Sequence, residues 1–451
     1  MSDPSFTGST HGPAADDASL DRDFLRNTVG VSGVELFWGL GLPVVFESTF
    51  LQLLLRSFGA SSTVIGLLPT MFSTGTAAFS LVSVYLTAKL VRRRGVVVAV
   101  HVVASLPLTA LGLVLVARGE APGILALFLV GYGAFCLGMG LLIPLWQDYV
   151  VRIFSDTRAL PAMSVMLTVQ SAGRLVGSYV ILRVVERYAF SSGSSGVVFI
   201  LVSVAFAAGS LLFLLTREPH APAAGGAGAD QTRAHLFSGS LVRALRNRPF
   251  LRLLGTDLEY FALGGVIAFY ANFAAEHCGV SPAVASGLFV ASSYVGIFAA
   301  NVVFGWFDLL TVRAKYLVSK SLALAAIPLI CFVSTAWAFL VASLLIGFSR
   351  GTRVLCYGPV VRRISGQSDA PTYFALAPLL TLPLAAGIPL LAGGVLDLLR
   401  DMGAGSYRLV FLALGCVMIA GLVFVARLDI PAGMHAHAPS TPRVGGAEQD
   451  Q

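Results

Sequence analysis

Twelve apolar blocks follow one another along this chain, near residues 30–54, 61–88, 95–117, 123–147, 160–182, 196–216, 253–275, 281–307, 316–335, 337–359, 371–396 and 406–427. Each has about the 20 residues a helix needs to cross the hydrocarbon layer of a bilayer. They are long runs, without the short alternating pattern of a membrane β-strand, so a barrel is excluded. Composition agrees: 56% of the 451 residues are hydrophobic and 12% are charged, about half the charged share of a soluble domain. So few polar residues cannot cover a water-soluble exterior of this size. The expected fold is all-α, a polytopic membrane protein of twelve transmembrane helices.

Charge sets the topology. With the N-terminus placed inside, 21 of the 30 lysines and arginines fall in inner segments, Lys315 and Lys320 among them, and six fall in outer ones. That bias predicts both termini in the cytoplasm and a multi-pass protein of a bacterial-type inner membrane. The net charge of +7 thus reads as a topology signal, with no nucleic-acid partner. The polar start, with Asp16, Asp17, Asp21 and Asp23, lacks a basic lead into a short apolar core, so no cleavable signal peptide is expected. The five cysteines show no metal or redox spacing and read as packing residues. His435 and His437 lack a third ligand nearby, so no metal is expected.

The chain divides into a polar tail (1–29), six helices (30–216), a linker (217–252), six more helices (253–427) and a second tail (428–451). The linker passes from Arg217-Glu218-Pro219-His220 through an Ala/Gly-rich tether to Arg243, Arg246, Arg248 and Arg252, as suits a segment on an anionic leaflet. The two halves repeat. Phe24-Leu25-Arg26 and Glu35-Leu36-Phe37 correspond to Phe250-Leu251-Arg252 and Glu259-Tyr260-Phe261; Val150-Val151-Arg152, Ser155 and Pro161 correspond to Val360-Val361-Arg362, Ser365 and Pro371. Like order in both halves predicts two pseudo-repeats related by an axis along the membrane normal.

This architecture resembles the major facilitator superfamily over roughly residues 24–430. That family's Gly-x-x-x-Asp-Arg-x-Gly-Arg-Arg signature between helices two and three appears here as Tyr85-Leu-Thr-Ala-Lys89-Leu-Val-Arg92-Arg93-Arg94-Gly95, with the basic cluster kept and Lys89 in place of the acidic residue. The counterpart in the second half runs from Gly305-Trp306-Phe307-Asp308 to Arg313 and Lys315. Helix five carries Ser171-Ala-Gly173-Arg174-Leu-Val-Gly177, without the proline of the drug-exporter subgroup. The resemblance implies alternating access around a cavity lined by helices one, four, seven and ten; it carries no substrate.

Ionisable groups within spans are costly, about 2.5–3.5 kcal/mol each at mid-helix, and are functional candidates for that reason. They are Glu35 and Glu47 in helix one, Arg174 in helix five, Asp257 and Glu259 in helix seven, and Arg350 and Arg353 in helix ten. Guanidinium groups hold carboxylates and phosphates through paired donors, so Arg350, Arg353 and Arg174 are candidate ligands for an anionic solute. The competing reading is an internal ion pair, such as Arg350 with Glu259. Glu35, Glu259, Glu47 and Asp257 are candidates for proton coupling, since a carboxyl that changes neighbours between states takes up and releases a proton. Trp38, Tyr270, Asn272 and Tyr294 are candidate site residues, Gln170 and Asn301 are further polar groups, and His101 reads as a packing histidine. Trp38-Gly39-Leu40-Gly41-Leu42-Pro43 is expected to interrupt helix one. No ATP-binding loop, metalloprotease motif, nucleophile elbow or dinucleotide fingerprint occurs, so neither a pump driven by ATP nor an enzyme is expected. The sequence reads as a monomeric, cofactor-free secondary carrier of a small anionic solute, with protons as coupling ion. The alternatives are efflux of apolar or cationic compounds and a non-transporting membrane assembly factor or sensor.

Overall fold

A computed structural model describes residues 13–47, 49–87, 92–119, 121–218, 242–307, 310–365 and 370–428. Lys89, Asp308, most of the linker and the tail histidines lie outside the described residues. The described chain forms twelve helical spans. Span 1 is Pro13–Val45 continued by Phe50–Ser57, span 2 Ser62–Thr87, span 3 Arg94–Arg118, span 4 Ile124–Arg152, span 5 Asp156–Tyr188 and span 6 Ser192–Leu211. Span 7 is Arg248–Thr256 continued by Leu258–His277. Span 8 runs from a π-helical turn, Val284–Leu288, through Phe289–Ala300 to a second, Asn301–Trp306. Span 9 is Val312–Phe332, span 10 Ala336–Ser365, span 11 Ala370–Leu398 and span 12 Ala404–Ala426. Eleven of these are long and apolar enough to cross a membrane. The twelfth, span 2, is a 26-residue helix packed between spans 4 and 11. Large apolar side chains such as Val103, Leu113, Val130, Leu201 and Leu391 point outward, as a lipid solvent permits.

Small residues set the packing. A Cβ on Gly140 would lie 2.2 Å from the Gly75 carbonyl oxygen, so spans 2 and 4 touch backbone to backbone. Between spans 1 and 5, Gly39 faces Gly173, and a Cβ on Gly177 would lie 2.2 Å from the Leu40 oxygen. Lipid supplies no hydrophobic drive between helices, and such close approach maximises dispersion contact instead. His101 sits in this packing as expected, buried and bonded to the Val97 oxygen at 2.7 Å.

Two sequence expectations are corrected in span 1. The helix begins well before residue 30, so Phe24-Leu25-Arg26 lies inside it. It also passes unbroken through Trp38–Pro43, because Gly39 and Gly41 are occupied in contacts with spans 5 and 6. The break comes later, between Val45 and Phe50. The repeat leaves a structural trace in the same region. Arg26 Nε donates to the Leu215 oxygen at 2.5 Å, closing span 1 on the end of span 6. Arg252 donates to the Arg427 oxygen at 3.5 Å, closing span 7 on the end of span 12.

The halves meet at the end of the bundle away from the termini, here the distal end. Asp397 of span 11 accepts the backbone N–H groups of Ser62 and Thr63, both at 2.7 Å, and the Thr63 hydroxyl at 2.6 Å. A carboxylate thus caps the start of span 2 from the other half, where the helix dipole favours negative charge. Just below, a Cβ on Gly66 would lie 2.4 Å from the Pro389 oxygen, and Thr70 donates to the Ala386 oxygen at 2.6 Å. Arg56 of span 1 pairs with Glu276 of span 7 at 2.6 Å and donates to Tyr407 of span 12 at 2.9 Å. Spans 5 and 8 close the opposite side, with Gly287 against Ser178 and Leu182.

Candidate functional site

Below this seal lies a cavity of about 190 Å³ shared by both halves. Phe46, Glu47, Gln52, Leu68, Phe72 and Tyr132 line it from the first half, and Tyr260, Phe261, Ile267, Arg350 and Pro389 from the second. Its wall is apolar and aromatic, with one charged pair set into it.

That pair crosses the halves. Arg350 Nη1 and Nη2 donate to the two carboxylate oxygens of Glu47 at 2.7 and 3.2 Å. The Tyr294 hydroxyl donates to the same carboxylate at 2.7 Å. Glu47 stands at the break in span 1, where Thr49 N–H turns back to the Glu47 oxygen at 2.9 Å and the Thr49 hydroxyl donates to the Ser286 oxygen of span 8 at 3.2 Å. Backbone freed from helix bonding at membrane depth is tolerated where it lines a cavity, and such breaks recur at binding sites.

Arg174 of span 5 joins this group from the side. Its guanidinium lies over the Tyr294 ring at 4.9 Å, and its Nε is buried without a hydrogen-bond partner. Among the described residues no carboxylate pairs with it. On the terminal side, one turn away, Gln170 Nε2 donates to Glu35. Glu35 in turn has no cation within ion-pair distance among the described residues; it faces Gln170 and Arg174 of span 5 and Trp146 of span 4.

The remaining charges belong to the second half. Arg353 makes a two-pronged pair with Asp257, at 2.9 and 2.8 Å, and lies between the rings of Tyr260 and Tyr357. Asp257 marks the junction of the two pieces of span 7. Glu259 is enclosed, 1% exposed, and accepts from Lys320 Nζ at 2.7 Å and from Ser349 at 2.9 Å. Lys320 also donates to the Thr256 oxygen at 2.9 Å. This overturns the assignment of Lys315 and Lys320 to a loop. Both are buried in span 9, Lys315 donating to the Phe304 oxygen at 2.7 Å. It also removes the Arg350–Glu259 pair: a nearer cation holds Glu259, and a nearer carboxylate holds Arg350.

Glu35 and Glu259, matched in the repeat, therefore have different surroundings, one beside the spans 1 and 5 contact and one sealed between spans 7, 9 and 10. Of all the candidates only Glu47 and Arg350 line the cavity itself, and three of the others are packed within the helices. Trp38 stacks on Phe206 with ring centres 4.1 Å apart, its Nε1 donating to Ser210 at 3.3 Å within the first half. Tyr270 is buried against Phe289, its hydroxyl 3.3 Å from Ser343. Asn272 is fully enclosed. Each is aromatic or polar within an apolar span, which sequence reading cannot separate from a site residue; Trp38 and Tyr270 are turned by helix phase into helix–helix contacts, and both side-chain polar atoms of Asn272 are buried without a hydrogen-bond partner. Sequence reading missed Gln52, a wall residue with both side-chain polar atoms buried and unpartnered.

The model of the Major Facilitator Superfamily matches residues 44–275, just over half of the chain. The chain belongs to the Major Facilitator Superfamily. A search of the curated proteins by sequence returns no match. Among solved structures, this superfamily member is similar to the nucleoside transporter NupG (D323A mutant), with TM-score 0.69 and 12% identity over 89% of this chain and 100% of that one. It is similar to tetrameric PepTSo2, with TM-score 0.67 and 13% identity over 90% of this chain and 98% of that one. It is also similar to a bacterial homologue of the human lysosomal transporter Spinster in an inward-facing, occupied conformation, with TM-score 0.63 and 15% identity over 90% and 96%. At these identities the likeness is one of fold, a multi-pass transporter fold of twelve helices.

Proposed function

We propose that this superfamily member is a secondary active carrier of the cytoplasmic membrane that moves a small organic anion by alternating access, coupled to protons. Both termini lie inside in this reading, so the distal seal is the external gate and the described state is open toward the cytoplasm. The observation that carries the reading is Arg174, a guanidinium that lies over the Tyr294 ring behind the cavity-lining Glu47 and has no ion-paired carboxylate of its own among the described residues. An unpaired charge in such a place is costly, and a ligand carboxylate would compensate it through charge-assisted bonds. The aromatic wall suits an apolar body behind the anionic group. Glu47, Asp257 and Glu259 are each held by a cation, which leaves Glu35 as the carboxyl for coupling.

The test compares three probes of similar body: hippurate, its neutral amide, and phenethylamine. Stabilisation of the purified protein by hippurate alone, lost in Arg174→Gln, is the expected result. Stabilisation by the amine, or equal stabilisation of the Arg174→Gln protein by hippurate, would reject the anion site. Hippurate counterflow in proteoliposomes then separates a carrier from a non-transporting sensor or assembly factor.

A further inference from the structure

Several polar groups in the cavity wall already have partners. Arg350 and Glu47 answer each other, and the Tyr132 hydroxyl donates to the Val45 oxygen at 3.2 Å. Gln52 differs. It lines the cavity, it is 1% exposed, and neither its Nε2 nor its Oε1 meets a hydrogen-bond partner among the described residues. Of the buried, described side chains with an unmet polar atom, it is the one in the cavity wall. A buried amide without partners forfeits the hydrogen bonds it had in water, a loss that a ligand in the cavity can recover.

The repeat supplies a matched comparison. Gly59 and Gly279 turn with φ of +77° and +67° at the distal ends of spans 1 and 7, and Ser61 and Ser281 follow them. Seven residues before each glycine stands a carboxamide, Gln52 in one half and Asn272 in the other. Both are buried, with both polar atoms unpartnered. Gln52 borders the cavity and Asn272 does not. Two amides alike in chemistry and repeat position thus differ in access to a ligand.

The shape of the group decides what it can read. A carboxamide presents a donor and an acceptor side by side. It pairs through two bonds with an edge that offers the complement, as Gln does with a nucleobase. A trans amide points its N–H and C=O to opposite sides, whereas a lactam ring holds both on one side. The terminal torsion of Gln is soft, so the plane of the amide can turn toward such a ring. Phe46, Phe72, Tyr132, Tyr260 and Phe261 line the same cavity, Phe46 and Phe72 meeting edge to face at 4.2 Å, and aromatic walls of this kind favour a flat ring. Resting on the carrier reading above, we propose that Gln52 is a specificity-determining residue and that the carried anion is a planar heterocycle with a lactam edge. The ring N–H donates to Gln52 Oε1, and Gln52 Nε2 donates to the ring oxygen.

The experiment titrates the purified full chain and reads its melting temperature. The probes are 6-hydroxynicotinate in its lactam form, its N-methyl derivative, its O-methyl ether, and the parent pyridone, which lacks the carboxylate; hippurate is run beside them. The lactam acid half-saturates wild-type protein at roughly 10-fold lower concentration than either methylated acid, each of which has lost the ring N–H. Gln52→Leu, and Gln52→Met as a closer match in shape, bind the three acids alike, while Asn272→Leu keeps the wild-type preference. An amide that only packs, or that only holds water, leaves the preference intact in the Gln52 variants, and that result overturns the proposal. Equal binding of the three acids by wild type overturns it too, and leaves the anion reading standing if hippurate still stabilises. Stabilisation by the parent pyridone, lost in Gln52→Leu, with none by hippurate or the acids rejects the anion and keeps the lactam edge. No shift from any probe overturns both.

Discussion

Removing one partner of the Glu259–Lys320 pair is the sharpest physical test of the fold. Both side chains are 1% exposed. Lys320→Met takes away the only ion-pair partner of Glu259 among the described residues and leaves an uncompensated carboxylate sealed between spans 7, 9 and 10. Breaking a buried pair in this way costs about 3–5 kcal/mol, whereas replacing both partners is often close to neutral. Treating spans 7–12 as the unfolding unit, at about 2–4 °C per kcal/mol for a unit of that size, the single variant loses roughly 6–20 °C. The double variant Lys320→Met/Glu259→Gln recovers at least half of that loss, since Gln still accepts from Ser349. Cys331 and Cys356 are buried in the second half, so a thiol-reactive fluorophore reports its unfolding directly. A Lys320→Met protein that melts within ~2 °C of wild type, or a double variant less stable than the single, would refute the argument and return Lys320 to the loop where charge counting puts it.

Three further outcomes follow from the packing. Asp397→Asn keeps the shape of the cap on span 2 but removes its charge, at a cost of about 0.3–1 kcal/mol; labelling of a cysteine placed at Leu68 from the distal side should increase, and unchanged labelling would show that the cap does not hold the seal. A Cβ on Gly393 would lie 2.3 Å from the Ser62 oxygen, so Gly393→Ala should lengthen the distance between spin labels on the distal ends of spans 2 and 11, and an unaltered distance distribution would count against that contact. Trp38→Ala should cost about 3–5 kcal/mol of stability without changing hippurate affinity per folded molecule; lost binding at unchanged melting temperature would restore Trp38 to the site.

Much of this molecule was legible in its sequence because bilayer thickness and hydrocarbon transfer leave little freedom. Twelve apolar blocks give twelve spans, and the Arg26 and Arg252 positions in the repeat keep equivalent tasks at the ends of spans 6 and 12. The identities of the deep charges were legible for the same reason, because a polar residue in such a block stands out. Their pairing was not. Helix phase decides whether Glu259 meets Arg350 or Lys320, and a turn of one residue, about 100° in an α-helix, is invisible in a block that is apolar all round. Lys320 was hidden for a related reason: a cation near the end of an apolar block reads as loop by composition, and only packing shows it pointing inward. Trp38 was misplaced because span 6 offers it an aromatic partner, Phe206, that no local pattern announces.

The interruption between Val45 and Phe50 bears on how such a bundle moves. The eight residues Phe50–Ser57 carry Arg56 of the seal and lie beyond backbone that has already left the helical ladder. Tilting that short piece relative to the long rod before it sacrifices no further rung. Unlatching at the distal end is thereby confined to two turns of helix, while the remainder of span 1 stays fastened to its own half.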